Sequence, residues 1–117
     1  MKFFLIIISI FFFSNAFADG NKLIVIGAAP TSGSYWPVSN SVCNAVNLEK
    51  ISHKFRCLPS ITGGSVYNIN GVLHGELDVG LTKAHILYEQ YHETDDGKSL
   101  RMISNLYKEP IFIVVKK

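Results

Sequence analysis

The sequence is poor in the residues that mark metal sites, nucleotide sites or strongly charged surfaces. Its 117 residues include only two cysteines, four histidines and one tryptophan. Nine acidic residues nearly balance eleven basic ones, so charge gives no reason to expect nucleic acid or an anionic membrane as a partner. Beyond residue 18, no apolar segment approaches the roughly 18 residues of a membrane-spanning helix. We therefore expect no membrane anchor.

The first 18 residues have the pattern of a secretory signal peptide. Lys2 precedes an apolar run of about 11 residues that ends at Phe13, and a small-x-small cleavage site ends at Ala18. We therefore expect export and cleavage after Ala18. The mature chain then has 117 − 18 = 99 residues and a net charge of +1, because Lys2 is lost. A chain of this length forms one domain at most.

Export changes the interpretation of the two cysteines, Cys43 and Cys57. In an oxidising compartment thiols pair, and a bridge between them closes a loop of about 15 residues, worth roughly 3 kcal/mol in the chain-entropy model. We favour a disulfide, and two buried, unpaired thiols are the alternative. A catalytic cysteine is disfavoured, because Arg56 is the only charged neighbour that could stabilise a thiolate.

Five short apolar segments have the composition of strands. They are rich in β-branched residues and are bounded by glycine, proline or polar residues, as in strands of a parallel sheet. The predicted strands are Lys22–Ile26, Phe55–Leu58, Leu77–Leu81, Arg101–Leu106 and Ile111–Val115.

Helical patterns lie between the first of these strands. Apolar residues recur at helical spacing, which predicts helices around Val38–Val46, Val66–Leu73 and Ala84–Tyr91. The polar residues 92–99 are predicted as a surface loop. Alternation of strand and helix predicts an α/β fold, with a mostly parallel sheet flanked by helices.

Candidate ligand-binding residues lie in the loops that follow the first three strands. In open α/β sheets, ligands bind at the carboxyl ends of the strands, where a helix N-terminus offers N–H groups to an anion. Of the three loops, the one from Thr62 to Ser65 is best suited to a carboxylate or phosphate, because its glycines let a ligand approach the backbone and its hydroxyls donate hydrogen bonds. The alternative is that Ser65 caps its own helix and the glycines only make the turn.

The other two loops are weaker candidates. Gly27 and Gly33 are six residues apart, so the first loop matches neither the dinucleotide fingerprint nor the phosphate loop, and nucleotide binding is disfavoured. Lys83 follows the third strand and would face the same crevice, where it could pair with a ligand carboxylate. A single lysine also fits a solvated surface.

Neither a metal site nor a catalytic site is indicated. His85 and Glu89 have the i, i+4 spacing of metal ligands on a helix, but no third ligand is placed. No Gly-x-Ser-x-Gly motif is present, and Ser65 has no partner at a spacing that suggests a general base. We therefore expect a protein that is not an enzyme and has no cofactor, with a small exported hydrolase as a remote alternative.

Four motifs occur in order along almost the whole mature chain: Gly33–Pro37, Ser60–Asn70, Gly75–Gly80 and Leu106–Pro110. The most specific part is a Thr-Gly-Gly-Ser-Val-x-Asn block followed by Gly-Glu-Leu-Asp. Together the motifs resemble the TAXI-type solute receptors of tripartite ATP-independent periplasmic (TRAP) transporters.

The resemblance implies a type II periplasmic-binding-protein fold, in which two α/β lobes close on a small carboxylate or amino acid. Such receptors lie in the periplasm and deliver the ligand to TRAP membrane permease subunits. Cys43 and Cys57 also sit where some members look disulfide-linked. The ligand contacts that the resemblance implies are Ser32, Gly33, Tyr35, Thr62, Gly63, Gly64 and Ser65. Lys83 stands where the family commonly has glutamine.

Residues 19–117 resemble only the opening part of the first lobe of such a receptor. We therefore expect this range to be the N-terminal portion of lobe 1 of a solute-binding protein, as a truncated fragment. The alternative is a remnant or split-gene product without transport activity.

Overall fold

The computed structural model describes residues 20–110 and 112–116, so the predicted signal peptide lies outside the described residues. Strands and helices alternate along this part of the chain. In chain order the elements are β1 (Lys22–Gly27), α1 (Tyr35–Leu48), α2 (Lys50–His53), β2 (Phe55–Ser60), α3 (Ser65–Leu73), β3 (Val79–Gly80), α4 (Ala84–Glu93) and a 3₁₀ helix (Asp96–Ser99).

The three strands form a parallel sheet in the order β2-β1-β3. Gly27, at the end of the central strand β1, is paired with Ser60 of β2 and with Gly80 of β3. The carboxyl ends of all three strands therefore meet at one edge of the sheet. The predicted α/β fold with a parallel sheet flanked by helices is confirmed.

The third strand is shorter than the predicted Leu77–Leu81, and Asp78, just before it, pairs with β1 partly through its side chain. Val25 N donates a hydrogen bond of 2.8 Å to Asp78 Oδ2, and Asp78 N donates one of 3.1 Å to Val25 O. The carboxylate thus takes the place of a backbone acceptor, and it holds the start of β3 against the central strand.

One face of the sheet is covered by α1. Ile26, Cys43 and Cys57 form the buried centre of this layer. The predicted disulfide between Cys43 and Cys57 is present and joins α1 to β2, with the two Cα atoms 4.9 Å apart. Beside it, Asn47 Nδ2 donates to Cys57 O and Asn47 Oδ1 accepts from Cys57 N, at 2.9 and 2.8 Å. The helix is therefore tied to the strand both covalently and by a bidentate amide.

The opposite face is covered by α3. Successive strand residues point to opposite faces, so the position after Ile26 faces away from α1. A Cβ atom on Gly27 would lie 2.5 Å from both Asn68 Oδ1 and Leu77 Cδ1. Because real Cβ atoms do not approach other atoms this closely, glycine is what lets α3 pack against the central strand.

The last two predicted strands are wrong within the part of the chain that the structure describes. Residues 101–110 and 112–116 contain no strand and are exposed; Ile113, for example, is 93% exposed. A strand needs a neighbour for its backbone N–H and C=O groups, and β-branched composition does not supply one. Part of the predicted loop at 92–99 instead forms the 3₁₀ helix. None of the helices in the described ranges has the length and hydrophobicity to cross a membrane.

Candidate functional site

The candidate site is built from the three loops that follow the strands. These are loop 1 (residues 28–34), loop 2 (residues 61–64) and loop 3 (residues 81–83). The backbone hydrogen bonding of the sheet continues by one residue into loops 1 and 3. Ala28 N donates to Ser60 O at 3.0 Å, and Leu81 N donates to Gly27 O at 2.9 Å. The three loops therefore start side by side at what we call the carboxyl edge.

The side chain of Asn68, on α3, makes hydrogen bonds with all three loops. Its side chain is fully buried. Nδ2 donates to Ala28 O of loop 1 and to Leu81 O of loop 3, both at 2.7 Å, while Oδ1 lies 2.6 Å from Thr62 Oγ1 of loop 2. Asn68 is outside the predicted set of site residues, although it closes the Thr-Gly-Gly-Ser-Val-x-Asn block. The residue therefore sets the relative position of the loops.

The hydroxyl of Thr62 is engaged in hydrogen bonds within the protein. Its hydroxyl lies 2.9 Å from Ala28 O as well as 2.6 Å from Asn68 Oδ1, and its single hydrogen serves these two acceptors. The same oxygen accepts a hydrogen bond of 3.2 Å from Gly64 N. The hydroxyl of Thr62 thus orients loop 2.

Loop 2 leads into α3 through Gly64, which has φ +93° and ψ −154°. Residues with a side chain rarely adopt this backbone conformation, so the turn into α3 depends on glycine. Gly64 is the N-cap residue and Ser65 is the first residue of the helix. The alternative in which Ser65 caps its own helix is therefore wrong, and the Ser65 hydroxyl is directed elsewhere.

The Ser65 hydroxyl instead connects the start of α1 to loop 3. Ser65 Oγ accepts a hydrogen bond of 3.0 Å from Lys83 N and lies 3.3 Å from the hydroxyl of Tyr35, the first residue of α1. Burial raises the pKa of Tyr35; the hydrogen bond with Ser65 lowers it, and the charges of Glu109 and Tyr107 raise it further. The net shift is upward, so the Tyr35 phenol stays protonated and can donate a hydrogen bond.

The Lys83 ammonium lies at the same edge. Its Nζ is 3.6 Å from Glu109 Oε2, and the two side chains are 50% and 37% exposed. An ion pair this accessible to water contributes about 0–1 kcal/mol. Lys83 is therefore a cation at the edge that is paired but only weakly held.

The remaining predicted residues lie on the outer side of the loops. Gly33 N donates to Pro30 O at 2.9 Å in a tight turn, and Ser32 is exposed in that turn. Gly63 is exposed in front of α3. The structure thus brings Tyr35, Ser65 and Lys83 into one connected group, whereas Ser32 stands apart from it.

No group of three or more histidine, cysteine, aspartate or glutamate side chains in residues 20–110 and 112–116 is arranged to hold a metal ion. His85 and Glu89 lie on α4, both exposed. The arrangement at the carboxyl edge is one of hydroxyls, backbone N–H groups and one ammonium, which suits an anion.

Residues 26–117 match the model of the NMT1-like family. The chain belongs to the NMT1-like family. This is a periplasmic-binding-protein-like family, so the resemblance to solute receptors is confirmed at that level. Its members have a solute-binding role, take small molecules as ligands and typically act outside the cytoplasm. Proteins of the NMT1-like family are generally not enzymes.

Proposed function

We propose that this NMT1-like chain captures a small organic anion, a carboxylate or an amino acid, at its carboxyl edge. The observation that carries the proposal is the convergence of loops 1, 2 and 3 around the first turn of α3. In that turn the N–H groups of Ser65, Val66 and Tyr67 have no acceptor within the helix, and they carry the positive end of the helix dipole. A ligand carboxylate is the natural acceptor for them.

The predicted site residues divide into three proposed roles. Gly63 lies just before the first turn of α3, Ser65 offers its backbone N–H from that turn, and Lys83 supplies a charge from loop 3, so we assign direct ligand contact to these three. The turn containing Ser32 and Gly33 forms the outer wall. Tyr35, Thr62 and Gly64 position the loops, because their polar atoms or backbone angles are already committed to contacts inside the protein.

We propose further that the chain acts in membrane transport. The four motifs that resemble TAXI-type receptors support delivery of the ligand to a TRAP membrane permease, and support a second lobe that closes over the ligand. Under this proposal residues 1–18 are the signal peptide, cleavage follows Ala18 and the chain acts in the periplasm as part of lobe 1.

Calorimetric titration of the purified protein with succinate and with L-glutamate tests the proposal. We expect binding of at least one of these anions, and we expect Lys83→Gln to weaken it about three- to tenfold. The expected loss reflects one charge-assisted hydrogen bond, discounted because Lys83 is half exposed.

Lys50→Gln is the matched control. Lys50 is an exposed lysine in α2, which precedes β2 and so lies toward the opposite edge of the sheet. Equal affinity of the two variants for the ligand would show that Lys83 takes no part. Absence of heat with every anion would contradict anion capture by this chain.

A further inference from the structure

Residues 107–109 pass over the carboxyl edge, and we call them the strap. At one end the Tyr107 hydroxyl lies 2.9 Å from Ser34 Oγ, at the end of loop 1. At the other end Glu109 Oε2 lies 3.6 Å from Lys83 Nζ, at the end of loop 3. The strap therefore bridges loop 1 and loop 3 through Ser34 and Lys83.

Side chains hold the strap in place. Residues 101–110 have no regular secondary structure and are exposed. Tyr107, together with Leu106, lines a groove against α1 that is formed by Pro37, Val38, Ser41 and Val42. The Tyr107 end is thus packed as well as hydrogen-bonded, whereas the contact described for Glu109 is an exposed ion pair. Of the two ends, the Glu109 end is the one that exchanges easily.

We propose that Glu109 is a built-in competitor for the anion site, an inference that rests on the proposed function. In the structure the Glu109 carboxylate is paired with the Lys83 ammonium. An incoming ligand carboxylate that reaches Lys83 is repelled by Glu109, because the two like charges would share one ammonium. The ligand therefore displaces Glu109, and the Glu109 end of the strap moves away from Lys83 while Tyr107 stays packed on α1.

This exchange makes the site selective. An anion that offers only its charge gains little by replacing Glu109, since one carboxylate is exchanged for another negative group. A ligand that also accepts hydrogen bonds from the first turn of α3 gains contacts that Glu109 does not make in the structure. Competition with Glu109 thus favours an anion that reaches the first turn of α3 over an anion that pairs with Lys83 alone.

Calorimetry on the full chain with succinate and L-glutamate tests the inference, using Glu109→Gln and the double variant Lys83→Gln/Glu109→Gln. We expect Glu109→Gln to bind the better of the two anions about two- to fivefold more tightly than the unmodified protein, which is the range of an exposed ion pair. In the Lys83→Gln background, the same Glu109→Gln change is expected to have no effect.

Glu76→Gln is the control for net charge, because Glu76 is exposed and precedes β3, toward the other edge of the sheet. A gain in affinity in Glu76→Gln equal to that in Glu109→Gln would overturn the inference, since it would reflect overall charge. If the unmodified protein binds an anion and Glu109→Gln binds it equally well or more weakly, the inference about Glu109 is overturned but the proposed function is not. If neither the unmodified protein nor any variant binds either anion, both the proposed function and the inference are overturned.

Discussion

At the scale of single residues, the carboxyl edge depends on the buried amide of Asn68. Its two donors serve carbonyls from loops 1 and 3, and its oxygen contacts Thr62 from loop 2. If the amide is removed, Leu81 O loses this donor and Ala28 O keeps only the Thr62 hydroxyl. Buried polar groups without partners are costly, so this one side chain links stability to site geometry.

We expect Asn68→Ala to lower the free energy of unfolding by about 2–3 kcal/mol, because Leu81 O loses its Asn68 donor, Ala28 O loses one of its two donors and a buried side chain is truncated. Urea denaturation followed by circular dichroism measures the change. Asn70→Ala, two residues along the same helix at an exposed position, is expected to change stability by no more than about 0.5 kcal/mol. Similar losses in the two variants would show that the Asn68 contacts contribute little.

The sequence does not reveal the role of Asn68 because periodicity detects apolar burial only. Val66 and Ile69 define the predicted helix, yet Val66 is 61% exposed while Asn68 is fully buried. An asparagine in an amphipathic helix normally belongs to the solvent side. Its partners lie 6, 13 and 40 residues away in the chain, and single-sequence patterns carry no information about the two distant pairs.

At the scale of elements, β1, β2, α1, α3 and α4 follow the predictions because each has a local signal. Composition identifies the strands, and helical spacing of apolar residues identifies the helices. The short helix α2 (Lys50–His53) has no such signal, since four residues are too few to show a period. The segments Arg101–Leu106 and Ile111–Val115 have the composition of strands. A strand also needs a partner strand, and composition carries no information about whether the fold places one beside it.

The junction of α1 with β2 is the element contact that is tied most firmly. Replacing both Cys43 and Cys57 by alanine is expected to lower the free energy of unfolding by about 3 kcal/mol, because the unfolded chain regains the freedom of a loop of about 15 residues. The native circular dichroism spectrum is expected to persist, since Asn47 still pairs with residue 57 through the backbone.

Reductant provides the control for this variant. The unmodified protein, reduced in denaturant, is expected to match the stability of the double alanine variant, and the double variant is expected not to respond to reductant. Equal stability of the oxidised protein and the double variant would contradict a stabilising role for the disulfide.

At the scale of the whole molecule, the described fold separates the carboxyl edge from the opposite edge of the sheet. Loops 1 to 3 gather at the carboxyl ends of the strands, whereas α2 and the starts of β1 and β2 lie at the other end. Membership of the NMT1-like family indicates solute binding, and the geometry of the carboxyl edge suits an anion. We therefore propose that an organic anion binds at the first turn of α3.

The most direct test is a titration of the ¹⁵N-labelled protein with succinate or L-glutamate, followed by amide chemical shifts. We predict saturable shifts of the amides of Gly63, Ser65 and Val66, together with that of Lys83, while the amide of Lys50 stays unchanged. Saturable shifts centred on Lys50 and the start of β2, with none in loop 2 or the first turn of α3, would contradict the account.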